Sequence, residues 1–456
     1  PTSTTATGVW QQEEQYEAKV TDTWPQRALF TTKSCRFNDG SSDNLSRSTG
    51  TPSSRQKFTF SAWIKLSSVS GNRSIFNIET DGNTTLFFMV KNGDQLHFVD
   101  YNSSAEKAKL TTTAVYRDPS AWYHVVLRLD STQGTNTNRC RLYVNGEQIT
   151  SFSATVYPSQ NYNFTNNVGN TRIGVSQGNA NYWDGYITES IFIDGQSLAP
   201  TSFGVANSDG VWTPIIYSGT YGTNGFNLQF EDAAALGTDS SPNGNTFTVN
   251  NLTSIDQSTD YPVVNYATMN SLDNFYQGAT FSEGNLKLAT YSGAGKTTWS
   301  TNTIGVSNGK WYWEIKISST GNNFDTIGFA PSVTTSSTAV LGDATDSVGW
   351  HGYNGQFRKS SSILATLSTY TTNDILSFAL DLNNNLIYVY KNGSIQNSGN
   401  GLAITAAALV SSGFYYPAAG TNDNAVGTYE FNFGSPSFAI SSGNADGNGY
   451  GNFEYA

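Results

Sequence analysis

The sequence predicts an all-β protein: two antiparallel jelly-roll β-sandwiches joined by a β-containing connector, behind a short N-terminal segment. Three observations carry this reading. Turn signals are dense, with Asn-Gly at 92–93, 145–146, 308–309, 354–355 and 392–393, and Asp-Gly at 39–40, 81–82, 184–185 and 194–195. Such pairs tolerate positive φ and favour tight hairpins. Between them lie short segments rich in aromatic and β-branched residues, among them 58–64, 122–127, 311–317 and 387–390, which read as strands. Finally, one strand–loop–strand–turn unit occurs twice. Leu129-Asp130, a polar loop and Leu142-Tyr143-Val144-Asn145-Gly146 are echoed by Leu380-Asp381, an Asn-rich loop and Tyr388-Val389-Tyr390-Lys391-Asn392-Gly393. The copies are too far apart for a solenoid and read as matching hairpins of two related sandwiches.

Composition narrows the class further. Of 456 residues only 13% are charged, about half the usual share, while 13% are aromatic and 43 are Gly. This excludes coiled coils and long helical bundles, and the aromatic content argues against disorder throughout. The net charge of −11, with 24 Lys+Arg, argues against a nucleic-acid partner. No apolar run approaches ~18 residues, so no membrane-spanning helix is expected. No signal peptide is visible, although the chain begins at Pro1 and a leader already removed would leave no trace. Two cysteines are too few for a disulfide scaffold. Cys35 and Cys140 sit on expected strands and read as free thiols, with pairing left open.

Along the chain, residues 1–30 form a lead segment, with a helix expected over 11–20 and Trp10, Tyr16 and Trp24 as anchors to a partner or to the first sandwich. Residues 31–200 form the first sandwich, 201–275 the connector, 276–440 the second sandwich, and 441–456 an extended Gly- and Asn-rich tail.

The motif series FTFSAWIKL, WYHVVLRLDS, RLYVNGEQI, TRIGV and YWDGYITESIFIDGQSL resembles the laminin-G/concanavalin A-like jelly roll over about 34–198. The series GKWYWEIKI, IGFA, SVGWHGYNGQ, ILSFALDLNNNLIYVYKNG, YYPAAG and EFNFG resembles a SPRY domain over about 281–434. The combination is similar to bacteriophage virion proteins, especially of marine and cyanobacterial phages, in segments such as SCRFNDGSSDNLSR, YPSQNY, FIDGQSLAPTSFG and DYPVVNYATMN. GVWQQEEQYEAKVTDTWP also resembles N-terminal segments of phage tail proteins.

That resemblance implies a tail fibre or surface appendage at the virion surface, displaying lectin-like domains. Its expected partners are other virion proteins and a host cell-surface glycan or protein, with a homo-oligomer (a trimer if a fibre) and neither nucleic acid nor membrane. The alternatives are a capsid-decorating protein, or an extracellular bacterial adhesin or filament subunit.

Signals for enzymatic chemistry are weak. A glycoside hydrolase needs two carboxylates across a sugar ring, and no E-x-D-x-x-E pattern is present. Glu189 and Glu314 alternate with apolar neighbours and read as solvated-face residues. His124 reads as a packed, hydrogen-bonded histidine. No nucleophile elbow occurs. The protein therefore reads as non-enzymatic. Sugar binding uses aromatic faces beside amide and charged groups. Tyr182-Trp183-Asp184, and Trp350-His351 with Tyr353 and Arg358, fit that description. The laminin-G resemblance also implies a Ca²⁺ at a sheet edge, with Asp81, Asp94, Asp130 and Asp184 as candidates and Asp81 and Asp184 foremost. The competing reading makes these aspartates turn formers.

Overall fold

The computed structural model describes residues 31–69, 71–273, 278–290, 299–321, 325–332, 339–421 and 426–456. The expected helix over 11–20 and the anchors Trp10, Tyr16 and Trp24 lie outside the described residues. The chain is all-β, as its turn spacing predicts, and forms two antiparallel sandwiches.

In the first sandwich the inner sheet runs, in spatial order, Glu147–Gln148, Cys140–Val144, Trp122–Asp130, Lys57–Leu66, Gly185–Asp194, Ser34–Phe37 and Gln257–Ser258. Phe226–Leu228 adds to Gly185–Asp194. The facing sheet runs Phe152–Val156, Ala105–Val115, Gln95–Asn102, Thr84–Lys91, Arg73–Asp81, Gly169–Ile173, Asn44–Thr49 and Thr248–Asn250. Alternate residues of each strand fill the space between. Phe60 of the inner sheet stacks on Phe76 of the facing one at 4.3 Å and meets Phe88 edge-on at 6.1 Å. Cys35 and Cys140 are buried free thiols. Their strands lie four positions apart in one sheet, about 19 Å at the usual strand spacing, far beyond disulfide reach.

The second sandwich repeats the pattern. Its inner sheet runs Thr280–Ser282, Lys287–Ala289, Thr428–Asn432, Lys310–Ser319, Ile375–Asp381, Leu386–Lys391 and Ser394–Ile395, with Leu402–Ala403 also on Leu386–Lys391. The facing sheet runs Trp299–Thr301, Tyr416–Thr421, Asp325–Ala330, Val348–His351, Gln356–Lys359 and Ser362–Thr366. Trp313 stacks on Phe378 at 5.1 Å and meets Phe329 edge-on at 6.1 Å.

The echo in the sequence is an echo in space. Lys57 is in register with Asp130, and Lys310 with Asp381. The lysines approach their partners to 3.9 and 3.5 Å. Asp130 Oδ1 accepts the Thr132 N–H, and Asp381 Oδ1 the Asn383 N–H, both at 3.1 Å. Each hairpin then closes on an Asn-Gly turn with positive φ at both residues, 49° and 84° at Asn145-Gly146 and 49° and 75° at Asn392-Gly393. That is the conformation a two-residue hairpin turn needs, and Gly adopts it without strain.

Residues 201–273 are packed rather than free. They supply three strands to the first sandwich, and Phe203, Tyr217 and Tyr221 cover Val126, Tyr143, Ile191 and Ile193 on the outer side of its inner sheet. That side is polar at Lys65, whose ammonium is fully buried. It donates to Asp260 Oδ2 at 2.7 Å, Asn265 Oδ1 at 2.7 Å and the Tyr266 carbonyl at 2.9 Å. All three donors are used. Nearby, Arg36 donates to the carbonyls of Ile255 at 2.8 Å and Pro436 at 3.4 Å, and lies 3.6 Å from Asp256 and 3.7 Å from Glu283. Tyr186 donates its hydroxyl to the Gly284 carbonyl at 3.0 Å. A side chain at Gly284 would strike that ring. These bonds tie the second sandwich to the first.

The tail differs from the extended form expected of it. Asn444 and Phe453 bridge, with N–H···O distances of 2.8 and 2.7 Å, and the tail folds back onto the second sandwich. Glu314 is correspondingly buried rather than solvated. Its carboxylate accepts the N–H groups of Glu454 at 2.9 Å and Tyr455 at 2.7 Å, the Asn432 amide at 3.2 Å and the Tyr312 hydroxyl at 2.9 Å. Glu189 is buried too, at a β-bulge with φ of 44°, where it accepts Thr31 N–H at 2.8 Å and Gln229 at 3.1 Å.

Removing one partner from a buried ion pair strands the other charge. Lys65→Met is expected to lower unfolding stability by about 3–5 kcal/mol. Adding Asp260→Asn should recover part of the loss, because the neutral amide needs no counter-charge. Urea titration of the three chains, followed by tryptophan fluorescence, checks both expectations.

Candidate functional site

The clearest open site lies on the outer face of the facing sheet of the first sandwich, across Gly169–Ile173, Asn44–Thr49 and Thr248–Asn250. Period-two alternation makes it. Leu45, Thr171, Ile173 and Val249 turn toward the core, so Asn44, Ser46, Ser48, Asn170, Arg172, Thr248 and Asn250 turn outward. Register sets the rows: Arg172 opposite Ser46 opposite Thr248, Asn170 opposite Ser48, and Asn44 opposite Asn250. The result is a polar groove of about 490 Å³.

Part of this face is internally satisfied. Asn250 donates to Asn44 Oδ1 at 3.0 Å and to Ser46 Oγ at 3.1 Å. Arg172 donates to Asn77 Oδ1 at 3.3 Å and pairs with Glu79, which neutralises it. Arg47 reaches Asn245 Oδ1 at 2.7 Å. Other groups remain available. The side chains of Ser48, Asn170, Asn179, Tyr182 and Thr248 line the groove without a hydrogen bond to another described residue. Tyr182 adds a half-buried ring at the edge. None of the lining residues is Asp or Glu.

Tyr182 reaches the groove because the loop before it is fixed. Ser176 and Ala180 bridge, Asn181 donates to Ser176 Oγ at 3.0 Å, and the Asn181 carbonyl accepts Ser74 N–H at 2.8 Å. The next two side chains part: Tyr182 lines the groove and Trp183 enters the core. Trp183 is fully buried among core residues. It offers no face to a ligand, which corrects the expectation for it.

Asp184 is buried as well, beside Arg73. Burial, then Asp39, pushes its carboxyl up against the pull of Arg73, to about 8, with Glu283 adding to the rise. Asp81 sits in an exposed turn, accepting Asn83 N–H at 2.8 Å. It lies at the opposite end of the strand that begins at Arg73, about 26 Å away at the usual rise, so the two aspartates cannot share an ion. Asp94 pairs with Arg73 at 2.7 Å. Asp130 caps its own loop through Thr132 and Gln133. Among the described residues no three His, Cys, Asp or Glu side chains gather as a metal site.

The second aromatic cluster divides in the same way. Trp350 is fully buried and donates to the Ser368 carbonyl at 3.1 Å. His351 is buried, its Nε2 3.2 Å from the Leu341 carbonyl, and burial lowers its pKa. Neither presents a ring to a ligand: Trp350 fills the core, and His351, on the opposite face of the strand, is covered at the Leu341 carbonyl. Tyr353 is 47% exposed in the hairpin turn, and Arg358 pairs with Asp343 at 3.1 Å. His124 is the packed histidine expected. Its Nδ1 accepts the Trp212 indole N–H at 2.9 Å, so its Nε2 carries the proton shared with Ser61 Oγ at 2.8 Å.

Residues 39–199 match the family model of the concanavalin A-like lectin/glucanases superfamily, and residues 310–436 match that of the SPRY domain. A comparison with curated proteins found no match. Among solved structures, the chain is similar to the SPRY domain of human HERC1, at 17% identity and a TM-score of 0.27, over 34% of this chain and 92% of that one. It is similar to a heptameric SAP-like pentraxin from Limulus polyphemus, at 18% identity and a TM-score of 0.27, over 38% and 74%. It is similar to the CBM40 of a Ruminococcus gnavus IT-sialidase bound to α2,3-sialyllactose, at 20% identity and a TM-score of 0.24, over 31% and 82%.

Asp184 is not alone in being raised. Burial pushes Asp100 up to about 7, against its bonds from Thr165. A carboxyl whose folded pKa lies above the unfolded value of 3.8 contributes most at low pH, and the contribution is lost as pH rises through the folded value. The buried histidines act oppositely. Burial lowers His97 to about 4 and His124 to about 3, so their contribution is complete above 6.5. Stability is therefore expected to fall between pH 6.5 and about 8.5, as the carboxyls lose their protons. Asp184→Asn should flatten that fall, which urea midpoints across the range would measure.

Proposed function

From a concanavalin A-like domain followed by a SPRY domain, we propose a non-enzymatic, glycan-binding adhesion protein of the bacteriophage virion surface, a tail fibre or related appendage. The observation that carries the binding part is the groove: hydroxyl and amide groups with no hydrogen-bond partner among the described residues, beside one tyrosine ring, on an exposed sheet face. A sugar offers matching chemistry, an apolar ring face with a rim of donors and acceptors. Hydrolysis would need two carboxylates flanking the bond, and the groove is lined by none. Its two arginines are engaged by Glu79 and by Asn245, so recognition rests on hydrogen bonding and shape. The virion assignment is supported by the resemblance of SCRFNDGSSDNLSR, FIDGQSLAPTSFG and the connector to phage virion proteins.

Binding to a host polysaccharide fraction, measured by calorimetry, is expected to weaken about tenfold in Tyr182→Ala, the magnitude of one lost aromatic contact. No reducing ends should be released on prolonged incubation. Release of reducing ends would replace the adhesion reading with a hydrolase. Immunogold microscopy of purified phage particles places the protein: label at the tail supports a fibre, label over the head a decorating protein. Label confined to bacterial filaments would overturn the phage reading.

A further inference from the structure

The second sandwich carries a trough of its own on the outer face of its inner sheet. Trp313, Ile315, Phe378, Leu380, Ile387 and Val389 point into the core, so Tyr312, Ala379 and Tyr388 point outward. Register puts them in one row across three strands, Tyr312 opposite Ala379 opposite Tyr388. A methyl between two phenol rings leaves a depression, and the folded-back tail closes one side through Asp446 and Asn448. The volume is about 460 Å³, within the ~300–1,000 Å³ of small-molecule sites.

Its walls are held before any ligand arrives. Phe453 of the tail meets the Tyr312 ring edge-on at 5.0 Å, and the Tyr312 hydroxyl is fixed on Glu314 at 2.9 Å. Gly401 lies so close behind Tyr388 that a side chain there would strike the ring. Trp311, also lining the trough, is 46% exposed yet anchored by its indole N–H to the Asn308 carbonyl at 2.6 Å. Holding large aromatic rings rigid at a solvent face lowers the entropy cost of binding.

The polar rim sets the ligand class. Asp381 is already occupied by the Asn383 and Asn384 N–H groups, the Asn384 amide and Lys310. Asp446 uses Oδ1 on its own turn, accepting Asn448 N–H at 2.8 Å and Tyr450 N–H at 2.9 Å, which leaves Oδ2. The Asn448 amide and the ammonium of Lys310 complete a set of one acceptor, one mixed group and one donor. Lys310 is already paired with Asp381, so the rim is left with the one unpaired carboxylate of Asp446 and disfavours an anion. Aromatic walls with that rim match a neutral saccharide. We propose that this trough is a second, independent glycan-binding site, selective for uncharged hexoses.

The test uses the full chain carrying Tyr182→Ala, which weakens the first groove. Glucose, galactose, mannose, N-acetylglucosamine, cellobiose and lactose are the probes, read by saturation-transfer NMR and calorimetry. At least one is expected to bind this chain. Adding Tyr388→Ala should weaken it about tenfold or more. Ala379→Leu, which fills the trough floor and leaves both rings in place, should do the same, and guards against a Tyr388 variant that misfolds. Binding unchanged by Ala379→Leu overturns the proposal, as does no binding by any of the six at about 50 mM. Loss of host-polysaccharide binding in Tyr182→Ala alone concerns the first groove and leaves this outcome separate.

Discussion

The buried ammonium of Lys65 is the constraint on which the rest of the arrangement depends. It stands on the outer side of a sheet whose inner side is core, where a free domain would leave it in water. Here that side is covered, so each polar group on it needs a protein partner. Asp260, Asn265 and the Tyr266 carbonyl supply those of Lys65. Thr59 bonds the Gln196 carbonyl at 3.0 Å, and Ser61 shares a proton with His124. The partners come mostly from the residues between the sandwiches, which therefore act as a second layer of packing. Once they are fixed, Arg36 and Tyr186 can reach Pro436 and Gly284, and the second sandwich is held in place.

Much of this was legible in the sequence, and the reasons are local. An Asn-Gly pair between two alternating segments has few conformations to choose from, so both hairpins and their kinship could be read from the chain. The failures share one cause: alternation separates the two faces of a strand without telling which face is covered. Glu189 and Glu314 sit at polar positions between apolar neighbours, and both are buried, one by a bulge beside Thr31 and the other by the returning tail. Trp183 and Trp350 belong to aromatic clusters of the kind that bind sugars, and both point inward. Tyr182, one residue earlier, lines the groove. The groove itself was not legible, because its third strand, Thr248–Asn250, joins Asn44–Thr49 across some two hundred residues of chain.

The two open faces also differ in what closes them. The groove on the first sandwich is an exposed run of hydroxyl and amide side chains at the edge of a sheet. The trough on the second is narrowed by the tail, whose Phe453 and Tyr455 are positioned by the Glu314 carboxylate. A buried carboxylate that collects two backbone N–H groups, an amide and a phenol is a strong organiser of loose chain.

The closing strands of the first sandwich impose an order in time. Ser34–Phe37 waits for Gln257–Ser258, and Asn44–Thr49 waits for Thr248–Asn250. On a ribosome adding roughly 5–20 residues per second, that interval is on the order of ten to forty seconds. Throughout it the edges of both sheets stand unpaired and Lys65 lacks its counter-charge, so the nascent domain is open to pairing with its neighbours. The polar outward residues of Asn44–Thr49 are thus also the guard of an edge that the chain itself completes late.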